Sequence, residues 1–403
     1  MLFLNPAAQL GGAEVALLTM CSGLRRLRND LSLVVMLAED GPLRQKLEMT
    51  GTKVLIHPLA GTAASLGDAS AGGLSQLTRL AGRIVRSSGG LLRYLAGLRK
   101  IVAEVNPAII HSNGMKMHAM SALLPGAERV LIWHLHDFVS SRPVMSRTLG
   151  RLCSRPSLMI ANSESVKRDV ELVCPRARVE VLWNGVDLSR FRPPETEARK
   201  NRAADHDKKV RVGLLATMAS WKGHEVFLEA LSLLPADIAI EAFVVGGALY
   251  RTRGSQTSVN DLKALARRLR IDDRVTFLDF MDDVSTMIRS LDIVVHASTR
   301  PEPFGLVIVE AMASGVPVII SDAGGAAEIG ALDRRLLRNA PGDAKALAGA
   351  SERLCRDPQL RAELGTVERD LACRYFSDET MASRLSELYD EAMRRRSARP
   401  ASQ

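Results

Sequence analysis

Short apolar runs alternate with helical patterns along most of the chain. Each run is nearly continuous, which is typical of strands that are buried on both faces of a parallel sheet. The predicted strands of the first half are LFLN (2–5), LSLVVML (31–37), KVLIHPL (53–59), AIIHSN (108–113), RVLIWHLH (129–136), SLMIANS (157–163) and RVEVLWN (178–184). Stretches 12–29 and 163–173 lie between them and have helical apolar spacing with a Gly or Ser start. This alternation predicts a doubly wound α/β domain.

A polar, charge-rich stretch at 190–209 interrupts the pattern and is typical of an interdomain linker. The alternation then resumes with VRVGLLA (210–216), IEAFVVGG (240–247), RVTFLDF (274–280), LDIVVHAS (291–298) and PVIISDAG (317–324). We therefore predict a domain over 1–189, a linker over 190–209, a second domain over 210–378, and a last helix and tail over 379–403. That helix is expected to pack back toward the first domain. Ligands of such folds bind at the carboxyl ends of the strands, in a cleft between the domains.

The composition is that of a globular protein, with 46% hydrophobic and 25% charged residues among 403. No apolar run approaches the roughly 18–20 residues that span a bilayer, and the N-terminus lacks the basic region of a signal peptide. We expect a cytosolic protein. The five cysteines are scattered and never form C-x-x-C, which argues against a disulfide framework and against a zinc site.

The net charge of +9 indicates an anionic partner, such as a phosphate, an acidic lipid or a nucleic acid. Aromatic residues make up only 4%, and no basic run is interleaved with them, so nucleic acid is not expected. Residues 74–101 carry basic residues among leucines and isoleucines, with no acidic residue. This segment would either rest on an anionic membrane, placing the protein at its inner face, or form a solvated helix face. Its basic residues are Arg79, Arg83, Arg86, Arg93, Arg99 and Lys100.

The stretch EPFGLVIVE places Glu302 and Glu310 at the two ends of an apolar run. Residues 305–314 have helix length and end before Gly315, so the N–H groups of Phe304, Gly305 and Leu306 would form an anion site at the helix start. The carboxylates would lie about 10 Å apart along the axis, too far for a shared acid–base role, which needs about 5 Å. We expect them to bind different parts of a long ligand. The spacing alone is common, and by itself it more often means that Glu302 caps the helix and Glu310 is solvated.

The wider frame is EPFGLVIVEAMASGVPVIISDAGGAAEI at 302–329. It resembles the retaining GT-B glycosyltransferases of family 4, whose signature is E-x7-E within E-x-F-G-x-x-x-x-E-A-M-A-x-G-x-P-V, followed by G-G-x-x-E. Further similar segments occur in the same order along essentially the whole chain. They are LGGAE (10–14), ANSESVKRDV (161–170), VLWNGVDLSRF (181–191), WKGHEVFLEAL (221–231) and RVTFLDFMDDV (274–284).

The resemblance implies a GT-B fold, in which two Rossmann-like doubly wound parallel-sheet domains face each other across a cleft. It implies transfer of a sugar, with retention, from a nucleotide-diphosphate sugar to a sugar or lipid-linked acceptor, in cell-surface polysaccharide or glycolipid synthesis. Glu302 would contact the transferred sugar, Glu310 the ribose, and Lys222 the diphosphate. No cofactor and no metal are expected, because the one D-x-D match, at 205–207, lies in the predicted linker.

Other site residues also follow from the resemblance. Gly11 and Gly12 would form a loop at the acceptor or at the diphosphate, and His136, in preference to His134, would line the sugar site. Alternation places both histidines on one face of their strand. The remaining predicted donor-binding residues are Phe280 and Met281 at the base, with Gly246 and Thr217.

Thr217 departs from the family pattern, because an arginine usually stands about five residues before the lysine of WKGH. Thr217 with backbone donors could suffice, or Arg300, Arg251 or Arg253 could supply the second cation. A chain that lost turnover with this arginine would be a non-catalytic nucleotide-sugar binding subunit. A GT-B sugar-nucleotide epimerase, which needs no acceptor, is the other alternative.

Overall fold

The computed structural model describes residues 1–59, 74–124, 126, 128–194, 209–247 and 256–398. Internal contacts divide the chain into two compact units. The first consists of Met1–Gly185 together with Asp378–Gln403, and the second of Val186–Ser377. The first stretch therefore ends at Gly185, where the sequence analysis had placed the boundary at residue 189, because Val186 already pairs with Ser377 of the second unit.

The first unit is built on a seven-stranded sheet in the order β3-β2-β1-β4-β5-β6-β7, in which every pairing is parallel. The chain order reverses between β1 and β4, which is the switch point at which open α/β sheets bind ligands. Each strand lies within one of the predicted runs. The strands are β1 Leu2–Asn5, β2 Val34–Leu37, β3 Lys53–Ile56, β4 Ile109–Asn113, β5 Val130–Leu135, β6 Leu158–Ala161 and β7 Val179–Val181.

Helices connect successive strands of this sheet. Their apolar sides are buried against it, as shown by Leu17, Met20 and Leu24 of the first helix, which are fully buried. These helices are α1 Gly12–Leu27, α2 Pro42–Met49, α3 Leu74–Val105, α4 Met115–Ser121, α5 Pro143–Leu152 and α6 Glu164–Val173. In the described part of the chain, no helix combines the length and the apolar character that a bilayer span requires.

The second unit contains a six-stranded parallel sheet in the order β10-β9-β8-β11-β12-β13. Five of its strands lie in predicted runs, but β13 was missed because it is a polar pair of residues with no apolar run to mark it. The strands are β8 Val210–Leu215, β9 Ile240–Val245, β10 Val275–Leu278, β11 Ile293–His296, β12 Val318–Ser321 and β13 Arg338–Asn339. The predicted fold class, two doubly wound parallel-sheet α/β domains, is confirmed.

The described helices of the second unit cover its sheet and form its carboxyl-terminal part. They are α7 His224–Ser232, α8 Val259–Arg268, α9 Val284–Ser290, α10 Leu306–Ala313, α11 Gly325–Gly330, α12 Ala344–Arg356 and α13 Pro358–Tyr375. The final helix, α14 Asp378–Ser397, belongs to the first unit and packs against α1. Leu385, Leu388 and Tyr389 of α14 are buried in the same core as Leu17 and Leu24.

Candidate functional site

A group of polar side chains lies at the carboxyl end of β11 and surrounds the carboxylate of Glu302. Lys222 Nζ donates to both carboxylate oxygens at 2.7 and 2.8 Å. Ser298 Oγ donates to Oε2 at 2.7 Å, and His296 Nε2 lies 3.5 Å from the same oxygen. The side chains of Glu302 and Lys222 are only 12% and 21% exposed. Sequence reasoning selected Glu302 and Lys222, and the structure joins them in one ion pair.

Opposing effects set the charge of Glu302. Burial raises the pKa of its carboxyl, but the charge of Lys222 and the hydrogen bonds from His296 and Lys222 outweigh burial and hold the pKa well below its usual range. Glu302 is therefore an anion at neutral pH. It can accept hydrogen bonds from ligand hydroxyls, and it is not suited to donate a proton.

Gly223 places Lys222 beside β11. Its φ of +75° lies in the left-handed region, and a Cβ at this position would lie 1.9 Å from the carbonyl oxygen of Ala297. Only glycine allows the chain to pass this close to β11. Lys222 ends the short 3₁₀ turn Ser220–Lys222, immediately before α7.

The backbone of Glu302 is held by the loop after β12. Its N–H points to the carbonyl oxygen of Ala323 at 3.4 Å, and its own carbonyl oxygen accepts from the N–H of Gly325 at 2.7 Å. Gly324 between them has a φ of +68°, and a Cβ there would lie 2.3 Å from the carbonyl oxygen of Glu302. The two glycines of the G-G-x-x-E segment thus allow the loop to pack directly on Glu302.

Helix α10, which follows Glu302 in the chain, begins without a side-chain cap. Gly305 is the N-cap of α10, with a φ of +98°, and no side chain accepts there. Among the described residues, no acceptor is found for the N–H groups of Phe304, Gly305 and Leu306. Phe304 is 2% exposed, and its ring packs edge-on against Phe376 at 5.9 Å. Unpaired N–H groups at a helix start favour an anion, so the anion site at α10 stays a prediction.

Glu310 lies inside α10 and has a different environment from that of Glu302. It is half-buried, and within the described part of the chain its carboxyl forms no side-chain hydrogen bond or ion pair. Burial raises its pKa to about 7, while the charge of Arg190 acts in the opposite direction. Arg190 also donates to the carbonyl oxygen of Asp282 at 2.8 Å. The two glutamates of the motif therefore have opposite pKa shifts.

The other predicted donor-binding residues, of which Phe280 and Met281 were expected at the base, follow the ends of β8, β9 and β10, three adjacent strands. Thr217 Oγ1 is buried and has no hydrogen-bond partner among the described residues. Gly246 has a φ of +155°, and a Cβ there would lie 1.8 Å from the carbonyl oxygen of Ala216. Phe280 is 46% exposed, which is unusual for a phenylalanine, and Met281 is half-buried.

The question of a second cation beside Lys222 stays open. Arg300 is exposed, and no ion pair or side-chain hydrogen bond is found for it in the described ranges. Arg251 and Arg253 lie outside the described residues.

The DHD match at 205–207 also lies outside the described residues. Where the structure is described, no group of three or more His, Cys, Asp or Glu side chains could hold a metal ion.

In the first unit, the predicted glycine loop begins α1. Gly11 is the N-cap and Gly12 the first helical residue. Burial raises the pKa of Glu14, and hydrogen bonds from its own N–H, from Asn5 and from the N–H of Gly11 oppose the rise. Asn113 Nδ2 in turn donates to Asn5 Oδ1 at 2.6 Å. The start of α1 therefore already carries a carboxylate, which sequence reasoning missed although Glu14 stands in LGGAE.

The two candidate histidines lie at the end of β5. The ring centroids of His134 and His136 are 4.1 Å apart, as expected for residues on the same strand face. No hydrogen-bond partner is found in the described residues for either nitrogen of either ring. Burial lowers the pKa of His136 to about 4 and that of His134 well below its usual value, so both rings are neutral at pH 7. Each neutral ring offers one donor and one acceptor.

Buried groups support these rings and the loop that follows. His111 lies with its ring centroid 5.2 Å from that of His134, and its Nδ1 is 2.7 Å from Tyr389 Oη on α14. Asp169 Oδ2 accepts from the N–H of Val139 at 2.6 Å and from that of Ser140 at 3.1 Å. This contact fixes the loop immediately after His136.

Sequence reasoning missed Ser298, His296, Arg190, Glu14 and Asp169. One signal was readable for the first two, because polar residues at the carboxyl end of an apolar strand face the ligand edge of a parallel sheet. No spacing rule links Arg190 to Glu310 or Asp169 to the loop after β5, since these groups meet only through the tertiary fold.

Two family models match the chain in succession. A model described as Glycosyltransferase Family 4 matches residues 10–190, and one described as Glycosyl transferases group 1 matches residues 195–370. The chain belongs to the GT-B glycosyltransferases. The two matches follow the same division as the two units of this GT-B chain.

The GT-B chain is similar to several named proteins. It is 31% identical over 219 residues to the lipopolysaccharide core biosynthesis mannosyltransferase LpsB of Rhizobium meliloti (strain 1021). The matched region covers 53% of this chain and 61% of LpsB. It is 24% identical over 314 residues to N-acetyl-alpha-D-glucosaminyl L-malate synthase of Bacillus anthracis, covering 75% and 80%. The chain thus spans about three fifths of the length of the first relative.

Among solved structures, the GT-B chain is similar to Anabaena Alr3699/HepE in complex with UDP-glucose. The TM-score is 0.77 at 26% identity, with 97% of this chain and 99% of that chain covered. Alr3699/HepE in complex with UDP alone gives the same TM-score at 25% identity.

Proposed function

We propose that this chain transfers a sugar, with retention of anomeric configuration, from a nucleotide-diphosphate sugar to an acceptor hydroxyl in polysaccharide or glycolipid synthesis. The observation that carries the proposal is the uncapped start of α10, for whose N–H groups the described residues provide no acceptor. This helix start lies beside the Lys222–Glu302 pair and close in sequence to Glu310. The similarity to a structure that holds UDP-glucose supports a nucleotide-sugar donor.

The diphosphate is assigned to the start of α10. Its backbone donors and helix dipole favour an anion, and they would stabilise the negative charge that grows on the leaving diphosphate. Lys222 can exchange its partner, moving from Glu302 to the diphosphate. That exchange releases the two oxygens of Glu302 to accept hydrogen bonds from hydroxyls of the transferred sugar, and these bonds favour its ionised form.

Glu310 is assigned to the ribose. Its carboxyl has no side-chain partner in the described residues, and it titrates near neutral pH because it is buried. Two adjacent ribose hydroxyls would donate to the carboxylate and favour its ionised form. Phe280, which is exposed after the end of β10, offers an aromatic face for the base.

The first unit is assigned to the acceptor. Gly11 and Gly12 had been predicted to approach either the diphosphate or the acceptor, and the carboxylate of Glu14 favours the second choice. A carboxyl group can hydrogen-bond to an acceptor hydroxyl in either protonation state, and its ionised form repels phosphate. His136, neutral at pH 7, would hydrogen-bond to the sugar. In a front-face displacement, the bond between the sugar and the diphosphate would break as the acceptor hydroxyl attacks, and the leaving diphosphate would take the proton of that hydroxyl.

Titration calorimetry with UDP and with UDP-glucose tests the donor assignment. We expect Glu310→Gln to weaken UDP binding and Glu302→Gln to weaken UDP-glucose binding more than UDP binding. Glu229→Gln, at an exposed position on α7, is the matched control and should change neither. If both nucleotides bind all three variants as they bind the unmodified protein, the proposal is wrong.

Turnover separates the proposed transferase from its alternatives. Slow release of free sugar from the donor that disappears in Glu302→Gln supports catalysis, whereas binding without any turnover indicates a non-catalytic subunit. Release of a free 2-epimer indicates an epimerase. Proton NMR of the transfer product, made from a donor of known anomeric configuration, decides between retention and inversion.

We further propose that the chain acts at the inner, anionic face of a membrane, where a lipid-linked acceptor would be found. Arg93, Arg99 and Lys100 are exposed on α3, and Leu92 beside them is 69% exposed. The side chains of Arg79, Arg83 and Arg86 lie outside the described part. Co-sedimentation with phosphatidylglycerol vesicles should fall in Arg93→Glu/Lys100→Glu, and unchanged binding would contradict this proposal.

A further inference from the structure

A cavity of about 670 Å³ opens beside the edge strand β13 of the second unit. Its wall is formed by the segment 334–337 before β13, by β13 itself and by helices α12 and α13, with Asp322 after β12. None of the residues assigned above to the donor lines it. Its lining residues are Asp322, Arg334, Arg335, Leu336, Leu337, Arg338, Arg353, Leu360, Glu363 and Leu364.

The cavity combines an apolar part with an excess of positive charge. Leu336 and Leu364 are buried, and Leu337 and Leu360 are partly buried. The lining residues include four arginines and two carboxylates, and Asp333, which pairs with Arg335, adds a third carboxylate, so one positive charge remains in excess. A site of this kind suits a small organic anion, with its carbon skeleton on the leucines and its charge at the rim.

The four arginines differ in what they already bind. Arg335 forms a bidentate pair with Asp333 at 2.9 and 2.7 Å, and Arg338 lies 3.4 Å from a carboxylate oxygen of Asp322. For Arg334 and Arg353, no hydrogen bond or ion pair from the guanidinium is found within the described ranges. Two guanidinium groups without such partners therefore line one cavity. Guanidinium groups bind phosphate through paired hydrogen bonds that a lysine cannot reproduce.

We propose that this cavity binds a small phosphate monoester and is an effector site for the donor loop. The volume is within the range of small-molecule pockets, roughly 300–1,000 Å³. The binding part of the proposal is independent of the proposed transferase function. The effector part rests on that function, because it concerns the loop that holds Glu302.

Asp322 connects the cavity with Glu302. It lines the cavity and pairs with Arg338, and its N–H donates to the carbonyl oxygen of Asn339 at 2.9 Å. The next residue, Ala323, accepts from the N–H of Glu302. A phosphate that takes over Arg338 removes the ion pair of Asp322. The start of the loop that packs on Glu302 then loses one of its restraints.

Calorimetry with phenyl phosphate tests the binding. Its ring matches the leucines, so we expect it to bind more tightly than inorganic phosphate, and neutral benzyl alcohol should not bind. Arg334→Ala/Arg353→Ala should weaken phenyl phosphate binding at least about tenfold, since two charge-assisted contacts are lost. Arg267→Ala/Arg268→Ala, which removes the same charge from exposed positions on α8, is the matched control and should leave binding unchanged.

Saturating UDP distinguishes the cavity from the donor site. Phenyl phosphate should still bind one site per chain in its presence. Equal affinity in Arg334→Ala/Arg353→Ala and in the unmodified protein, or displacement by UDP, would overturn the cavity as the binding site. Failure of UDP itself to bind would contradict the proposed function. It would not affect the conclusion on the cavity, which depends only on the binding of phenyl phosphate.

The effector part predicts a change in donor affinity. UDP-glucose should bind about fivefold more weakly when phenyl phosphate saturates the cavity. Phenyl phosphate should in turn bind more weakly, by the same factor, when UDP-glucose is bound. Arg338→Ala should weaken UDP-glucose binding by itself and abolish the further effect of phenyl phosphate. If the UDP-glucose affinity is the same with and without phenyl phosphate, the coupling between the two sites is refuted.

Discussion

Replacing Lys222 with methionine tests the electrostatic account of the Glu302 site most directly. The substitution keeps most of the length of the side chain and removes the charge that pairs with the carboxylate at 2.7 and 2.8 Å. Both side chains are mostly buried, at 21% and 12% exposure, so the remaining carboxylate cannot regain full hydration. Breaking a buried pair from one side costs about 3–5 kcal/mol, and the partial exposure favours the lower end, about 3 kcal/mol.

The loss should appear in thermal unfolding of the second unit. For a domain of this size each kcal/mol shifts Tm by about 2–4 °C, so we expect Lys222→Met to lower it by roughly 6–12 °C at pH 7. Adding Glu302→Gln should recover much of this loss, because the neutral amide needs no cation. Lys345→Met, at an exposed position on α12, should change Tm by less than about 1 °C.

The pH dependence gives a second readout of the same pair. The pKa of Glu302 is lower in the folded than in the unfolded protein, so the stabilisation by Lys222 is fully present above the unfolded value near 4.5 and is lost as pH falls toward the folded value. In Lys222→Met the effect of burial, which raises the pKa, is no longer opposed by this charge. The Tm difference between the two proteins should therefore shrink from pH 7 to pH 4. A Tm loss below about 1 °C, or one that grows on acidification, would refute the reasoning.

Three further predictions concern other parts of the structure. The pKa of Glu310 near 7 means that UDP, if it requires the carboxylate, should bind about tenfold more tightly at pH 8 than at pH 6 in calorimetry, and Glu310→Gln should remove this dependence. Gly223→Ala should lower the free energy of unfolding by more than about 2 kcal/mol in urea titrations, whereas Gly342→Ala, with a similar φ of +79° but open space around it, should cost only about 1 kcal/mol; equal losses would contradict the backbone clash. Tyr389→Phe leaves the buried Nδ1 of His111 without its 2.7 Å partner and should destabilise the first unit by about 1–3 kcal/mol in differential scanning calorimetry, and no change would contradict the contact.

Sequence patterns located the secondary structure of both sheets except for one strand. Strands buried on both faces must be continuously apolar, so each predicted run contained its observed strand, with errors only at the ends, as for residues 31–37 and Val34–Leu37. Strand β13 escaped because two polar residues at a sheet edge bury too little surface to leave a pattern. Residues 305–314 were predicted as a helix because glycines frame an apolar run of helix length, and α10 begins one residue later.

The sequence by itself also selected Glu302, Glu310, Lys222 and the glycines, because E-x7-E and WKGH are local patterns that can be compared with a family. It could not state what those residues contact. Lys222 and Glu302 are 80 residues apart in the chain, and the ion pair exists only because Gly223 allows a close approach to β11.

Tertiary structure alone decided the charge state of the two glutamates. Both are carboxyls in one short motif, yet a neighbouring lysine lowers the pKa of Glu302 while burial raises that of Glu310. A pKa depends on the groups within a few ångströms and on access to water, and these are set by chain segments that are distant in sequence. For the same reason the carboxylate of Glu14 at α1 and the arginine-lined cavity beside β13 became visible only in the folded chain.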